Sequence, residues 1–365
     1  MINALKRLRY LFSHRKISIE DIRVEVDENT STVLADVVGE EFWFCSYGAK
    51  MTASSHGLAA LFLLPALKTG AVLCMDGEVE DSAKKRFYQI ASIANRWWGF
   101  LAKPRLRFHG KIDETVSTAG RTALCFSCGA DSFFSLYQNL NDIDDLVIVR
   151  GYDVPLDDDV RFEALRVNAL AVADALGKRL IVIETNLREH SFFAKVGWKI
   201  SHGAALAALG HFLSPEIDRL LISASFPTAH IRPWGSSAEM DPLWSSGQLQ
   251  VLHVGDEVWR AEKLRQISVE PLVQCHLAVC WRGMGVPLNC GKCEKCLRTQ
   301  LTLLVHDQLH LMEVFPNPDQ IVDSLDQLKR VKQEYIVYES FLEKDLPREI
   351  KDAIVRLLKR SSRKG

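Results

Sequence analysis

No charge of one sign dominates this chain. Its 365 residues set 45 Lys and Arg against 46 Asp and Glu, a formal net charge of −1. Without a global field, nucleic acid is not indicated as a partner. Long unbroken apolar runs are also missing. The most hydrophobic stretch, GLAALFLLPALKTGAVLC from Gly57, is cut by Pro65 and Lys68. It reads as a buried amphipathic helix followed by a strand, not as a membrane span. The opening MINALKRLRYLFSHRK places Lys6, Arg7 and Arg9 where a secretion signal would need an apolar core, so a solvated basic helix face on a cytoplasmic protein is expected. No internal repeat or low-complexity tract stands out. Two nucleotide-binding patterns are absent as well, GxxxxGK[ST] and GxGxxG, which excludes the folds built on them.

The composition is 47% hydrophobic over a length that suits two or three folding units. Residues 17 to about 117 alternate strand-like segments (DIRVEVDE, STVLADVVGEEFWFCSY, AVLCMDG, PRLRFHG) with helical stretches near 57–68 and 80–99, and an N-terminal α+β domain over 1–117 is expected. After Thr122 the order becomes strand ALCFS, helix DSFFSLYQNL, strand DLVIVRG, helix DVRFEALRVNALAVADALG, strand RLIVIET, helix GAALAALGHFL and strand RLLISAS. Apolar strands spaced by periodic helices predict an α/β class, a parallel sheet with helices on both faces, over 118–270. Residues 271–365 are expected to form a cysteine-bearing segment and C-terminal helices, ending in a frayed basic KRSSRKG.

The stretch LCFSCGADSFF, Leu124 to Phe134, has the layout of a strand, a turn of small residues and a helix. Unpaired N–H groups and the positive end of the helix dipole at such a turn favour an anion, phosphate above all. Ser127 and Ser132 can donate from their hydroxyls, and Gly129 permits close backbone approach. Ser127, Cys128, Gly129, Ala130, Asp131 and Ser132 resemble the SGGxDS signature of the PP-loop ATP pyrophosphatases, with Cys128 in place of one glycine. The resemblance implies that these six residues hold the pyrophosphate part of ATP, that Asp131 lies close to Mg²⁺ and the phosphates, and that the bond between the α and β phosphates is cleaved. A positive φ at Cys128 would cost about 1–2 kcal/mol.

Of nine cysteines, Cys280, Cys290, Cys293 and Cys296 are spaced C-x9-C-x2-C-x2-C. Four thiolates at that spacing can close a tetrahedral Zn²⁺ shell, a structural site because no position is left for water. Cys275 and His276 are substitutes for Cys280 as the first ligand. A cluster of this kind downstream of a PP-loop resembles the 7-cyano-7-deazaguanine synthases over roughly residues 120–300. That resemblance implies an ATP-dependent carbon–nitrogen ligase that activates a carboxylate, small-molecule or protein-borne, for attack by ammonia or an amine.

Lys263 and Arg298 sit where the resemblance suggests cations beside the phosphates, so Asp131, Ser132, Lys263 and Arg298 are the expected catalytic set. Arg150, Gly151 and Tyr152, after the strand DLVIVRG, are expected to meet adenosine, with Glu184 and Thr185 as a further candidate. The segment from Phe226 to Leu264 is dense in Trp, Ser, Gly and Pro. It reads as a long irregular stretch that could bring His230, Arg232, Ser236, Asp241 and Ser245 to substrate. Two other functions stay open: a thiolation enzyme using a Cys128 of depressed pKa at the helix N-terminus, and a non-catalytic nucleotide-binding or scaffold module. A homodimer is also left open.

Overall fold

The computed structural model describes residues 16–110, 120–280, 288–332 and 334–362. The basic segment at the start of the chain lies almost wholly outside them. The chain divides into two compact units, one made of the described residues of Met1–Cys125, Asn139–Leu156 and Lys178–Glu257, the other of those of Phe126–Gln138, Asp157–Gly177 and Val258–Gly365. The N-terminal strands hydrogen-bond onto the parallel block in one sheet.

The first unit holds a ten-stranded, mostly parallel sheet. Its strands are β1 (Lys16–Val26), β2 (Thr30–Val37), β3 (Glu41–Tyr47), β4 (Val72–Asp76), β5 (Arg105–His109), β6 (Thr122–Cys125), β7 (Asp145–Arg150), β8 (Arg179–Thr185), β9 (Arg219–Ser223) and β10 (Gln250–Val254), in the spatial order β10-β9-β6-β7-β8-β3-β2-β1-β4-β5. Strands β10, β9, β6, β7 and β8 run parallel, and β3 joins β8 antiparallel through Phe44 opposite Thr185. The stretch from Ser31 to Tyr47 is two strands, not one. Val38 and Gly39 both take positive φ, 60° and 79°, in a two-residue hairpin closed by the Val37–Glu40 pair. Strand β10 lies inside the segment expected to be irregular throughout, where QVLHV pairs with β9 in parallel.

The chain leaves β8 and returns to the far side of β6 to form β9, so the strand order reverses beside β6. In an open parallel sheet, ligands collect outside the carboxyl ends at such a reversal. The opposite, amino edge is pinned by charge. Asp145, fully buried at the start of β7, accepts from Arg121 Nε at 3.0 Å and Arg179 Nε at 2.8 Å, and Arg179 also reaches Glu216 at 3.0 Å. Those cations hold the Asp145 carboxyl below its ordinary range although burial pushes the other way.

The helix Ser55–Thr69 starts at a Ser54 cap, whose side chain accepts from Gly57 N–H, and stops at Gly70 with φ 72°. Every residue from Gly57 to Leu67 is buried, so this helix is apolar all round and not amphipathic as expected. It packs on the helix Trp198–Phe212, where a Cβ on Gly57 would lie 2.7 Å from the Phe212 ring. The helix Asp81–Trp98 buries a single face, Ala83, Phe87, Ile90, Ala91 and Ala94, at three- and four-residue spacing.

In the second unit the helices Ala130–Gln138 and Arg260–Ile267 pack together, and Asp159–Ala175 meets Pro271–His276. The helices Ile321–Gln327, Tyr335–Ser340 and Arg348–Ser362 close around Leu325, Tyr338, Ile354 and Leu357. The expected frayed end is helical to Ser362, and Arg356 there donates to Asp326 at 2.9 Å.

Candidate functional site

Strand β6 ends at Cys125 and the chain runs directly into the turn Phe126–Gly129. Cys128 takes φ 56°, so the position does need the left-handed region that a glycine would occupy without strain. Its side chain is fully buried and its carbonyl accepts from Ala278 N–H at 2.7 Å. Burial pushes the Cys128 thiol up to about 12, against a contact with Asn168 that pulls it down. Burial thus works against the depressed pKa on which a Cys128 nucleophile would depend.

The helix Ala130–Gln138 makes its first internal hydrogen bond from Phe133 N–H to Gly129 O, at 2.9 Å. The N–H groups of Gly129 to Ser132 are thus those that helix geometry leaves unpaired. Ser132 Oγ closes the turn, donating to Gly129 O at 3.0 Å and accepting from Ser127 N–H at 3.3 Å, with the two serine hydroxyls 3.5 Å apart. Ser127 is exposed.

In the first turn of this helix Asp131 meets two cations of the helix Arg260–Ile267. Arg260 grips the carboxylate in two-pronged fashion, its Nε 3.3 Å from Oδ1 and its second amino group on Oδ2. Lys263 Nζ lies 3.5 Å from Oδ1 and 5.5 Å from the centre of the Phe134 ring, fully buried. Burial raises the Asp131 pKa, but Arg260 and Lys263 outweigh it and the net direction is down. Arg260 and Lys263 bring positive charge to the first turn of this helix, beside its unpaired N–H groups, which suits an anion.

Of the expected catalytic residues, Asp131, Ser132 and Lys263 come together. Arg298 is instead ion-paired with Glu294, its Nε 3.0 Å from Oε1, one turn away on the helix Glu294–Val305. Arg260 was not singled out in the sequence. The available signal was its i, i+3 spacing from Lys263, which puts both on one helix face.

The expected adenosine contacts have structural partners. Tyr152 is buried and donates from its hydroxyl to Ala205 O at 2.9 Å. Gly151 N–H bonds Val154 O at 2.8 Å, and its φ of 92° with Thr185 O only 1.8 Å from where a Cβ would lie makes glycine necessary there. Arg150 reaches Glu184 at 3.4 Å, and Thr185 Oγ1 donates to Trp43 O at 2.7 Å.

The sulfurs of Cys280, Cys290, Cys293 and Cys296 all lie within 4.8 Å of one another, a group that could hold a metal ion. Sγ of Cys280 is 3.5 Å from Cys290 and 3.7 Å from Cys293, and Cys290 is 4.0 Å from Cys296. A tetrahedral shell with metal–sulfur bonds of about 2.3 Å has edges of about 3.8 Å, so the spacing fits. All nine cysteines are unbridged. Gly291, at φ 72° and with Pro316 O 2.7 Å from a would-be Cβ, forms the knuckle, and Cys293 N–H points at Cys290 Sγ at 3.3 Å. Buried Asn289 ties the two arms, accepting from Val279 N–H at 2.8 Å and donating to Leu277 O at 2.6 Å. Gln300 secures the knuckle by donating to Gly291 O at 2.6 Å. Cys275 and His276 stay outside, the first exposed beside Glu313 and the second bonded to Asn168 at 2.7 Å.

Within the first unit, the Phe226–Val254 region brings Ser236 and Asp241 together and adds His253, which the sequence reading missed. His230 and Arg232 are exposed, while Ser245 Oγ accepts from Val251 N–H at 3.0 Å.

Searches of family models, curated proteins and solved structures return no match for this chain.

Proposed function

We propose that the protein is an ATP-dependent adenylating enzyme, a carbon–nitrogen ligase of the PP-loop ATP pyrophosphatase type, similar to the 7-cyano-7-deazaguanine synthases. The observation that carries this reading is the Asp131–Arg260–Lys263 cluster in the first turn of the helix Ala130–Gln138. In this reading ATP is a substrate. The N–H groups of Gly129 to Ser132 and the hydroxyl of Ser127 bind its β and γ phosphates. Arg260 and Lys263 turn from Asp131 to the departing pyrophosphate and offset its charge. Mg²⁺ would offset phosphate charge, and Asp131 is the carboxylate that would hold it once Arg260 and Lys263 have turned away.

An oxygen of the acceptor carboxylate attacks the α phosphorus, pyrophosphate leaves, and ammonia or an amine then displaces AMP. The four-cysteine group holds Zn²⁺, which with a complete thiolate shell supports the fold. Through Ala278, which donates to Cys128 O, that support extends to the phosphate-binding turn.

The test is product analysis with ATP, magnesium, ammonium and a panel of carboxylic acids. AMP and pyrophosphate should form and be abolished in Asp131→Asn, a variant that preserves side-chain shape. Formation of ADP and phosphate would reject the class.

A further inference from the structure

The four clustered sulfurs stand on two arms, both wholly within the second unit. Cys280 ends the arm of residues 277–280, while Cys293 caps the helix Glu294–Val305 and Cys296 lies in its first turn. Asn289, buried and next in sequence to Cys290, joins the arms. Its Oδ1 accepts from Val279 N–H at 2.8 Å and Cys280 N–H at 3.3 Å, and its Nδ2 donates to Leu277 O at 2.6 Å and Val314 O at 3.3 Å. Both lone pairs and both hydrogens of the amide are engaged, which leaves it one orientation.

Each arm reaches a different half of the turn-and-cation cluster around Asp131. From the first, Ala278 N–H donates to Cys128 O at 2.7 Å, and Ala278 O lies 3.8 Å from where a Cβ on Gly129 would stand. Cys128 sits at φ 56°, which costs a residue with a Cβ about 1–2 kcal/mol. The turn therefore depends on outside contacts to keep its N–H groups aimed. The second arm, the helix Glu294–Val305, packs on the helix Arg260–Ile267, which carries Arg260 and Lys263. Against the raising effect of burial, the Asp131 carboxyl is drawn down by Arg260, by Lys263 and also by Lys295, which lies between Cys293 and Cys296 in the sequence. Backbone donors thus answer to one arm and cations to the other, and the arms meet at the sulfurs and Asn289.

We infer that metal occupancy of the four-cysteine group and anion binding at the Cys128 turn are linked through Asn289 and Ala278: the metal-loaded protein binds a diphosphate group more tightly, and the bound anion makes the metal harder to remove. The inference rests on the anion-binding reading of the turn given above. With the four thiolates on one ion the arms keep a fixed separation, Asn289 holds the backbone of residues 277–280 in place, and donors and cations face one anion without a further ordering cost. Reciprocity follows, because one coupling free energy enters both equilibria. Asn289 acts through the backbone, so it is a positioning residue.

The probe is inorganic pyrophosphate, without magnesium, added to the full-length zinc-loaded protein. Two factors are measured: the loss of pyrophosphate affinity on zinc removal, by calorimetry, and the gain in zinc affinity at saturating pyrophosphate, by equilibrium competition with a chromogenic chelator. Each should be at least fivefold, and the two should agree. Pyrophosphate itself chelates zinc and by that route would only loosen it, so tighter retention reports the linkage. Asn289→Ser keeps the four sulfurs, shortens the strut and should bring both factors close to one. A variant that is merely less stable, with both factors intact, overturns the inference. Where the variant or the zinc-free protein does not stay folded by circular dichroism, zinc retention by the parent protein decides. Pyrophosphate that binds the loaded protein without tightening its zinc overturns the linkage and leaves the anion reading standing, whereas no binding at all takes both down.

Discussion

Cys128 combines a buried thiol with a left-handed backbone. That conformation costs about 1–2 kcal/mol for a residue with a Cβ, while the side chain recovers a comparable amount by being buried. Cys128→Gly exchanges one for the other, and its unfolding free energy should stay within roughly 1 kcal/mol of the parent. Because burial raises the thiol to about 12, native-state alkylation at pH 8 followed by mass spectrometry should label exposed Cys275 and spare Cys128. Rapid labelling of Cys128 would revive the thiolation reading. Asp131 carries the opposite risk: Asp131→Ala removes the carboxylate that Arg260 and fully buried Lys263 share and should lower stability by about 3 kcal/mol in a denaturant titration. Asp131, Ser132 and Lys263 were legible as residue types at a suggestive spacing. The grip of Arg260 was not, since any surface helix supplies such residues and only the packing of two helices brings one to Asp131, whereas the Arg298–Glu294 pair lies four positions apart on one helix.

Among the elements, the turn after β7 and the cysteine knuckle make separate demands. At Gly151 a methyl group would meet Thr185 O at 1.8 Å in a backbone with φ 92°. Gly151→Ala should therefore destabilise the protein by roughly 3 kcal/mol or more, an outcome that thermal unfolding without any nucleotide would register. The cysteine group binds the segment Leu277–Cys280 to the helix Glu294–Val305 through Asn289 and the sulfurs. Removing its metal with a chelator, or substituting Cys293→Ser, should lower the melting temperature by several degrees and increase amide exchange at Ala278, whose N–H holds Cys128 O. An unchanged melting curve would contradict a structural metal. The cysteine spacing was readable because one ion imposes it locally. Strand β10 was not, because its five residues sit among Trp, Ser, Gly and Pro and only pairing with β9 makes them a strand.

At the scale of the molecule, buried histidines set its response to acid. His211 is held neutral, its pKa lowered from 6.5 to about 3 first by burial and then by neighbouring His56, which it stacks against at 5.6 Å. His56, His190 and His202 are lowered too, chiefly by burial. A folded-state pKa below the unfolded one means that the unfolded chain takes up more protons as pH falls. Stability is then complete above about pH 6.5 and drains away through pH 3, by a few kcal/mol for His211 alone. Urea midpoints measured from pH 8 to pH 4 should fall steadily, and the fall should shrink in His211→Gln. Depressed Asp131 and Asp145 act in the same direction at the lower end of that range.

The sequence by itself determined the local facts: which runs are apolar enough for strands, where the turn of small residues opens a helix, and which four cysteines share a metal-ligand spacing. Each depends on neighbours a few positions apart, where covalent geometry limits the choices. Only the tertiary structure decided that β3 docks on β8, that the order reverses beside β6, and that His253 and Arg260 find their carboxylates. Those contacts join residues 12 to more than 100 positions apart, and it is burial and pairing across the folded chain, not local preference, that selects them.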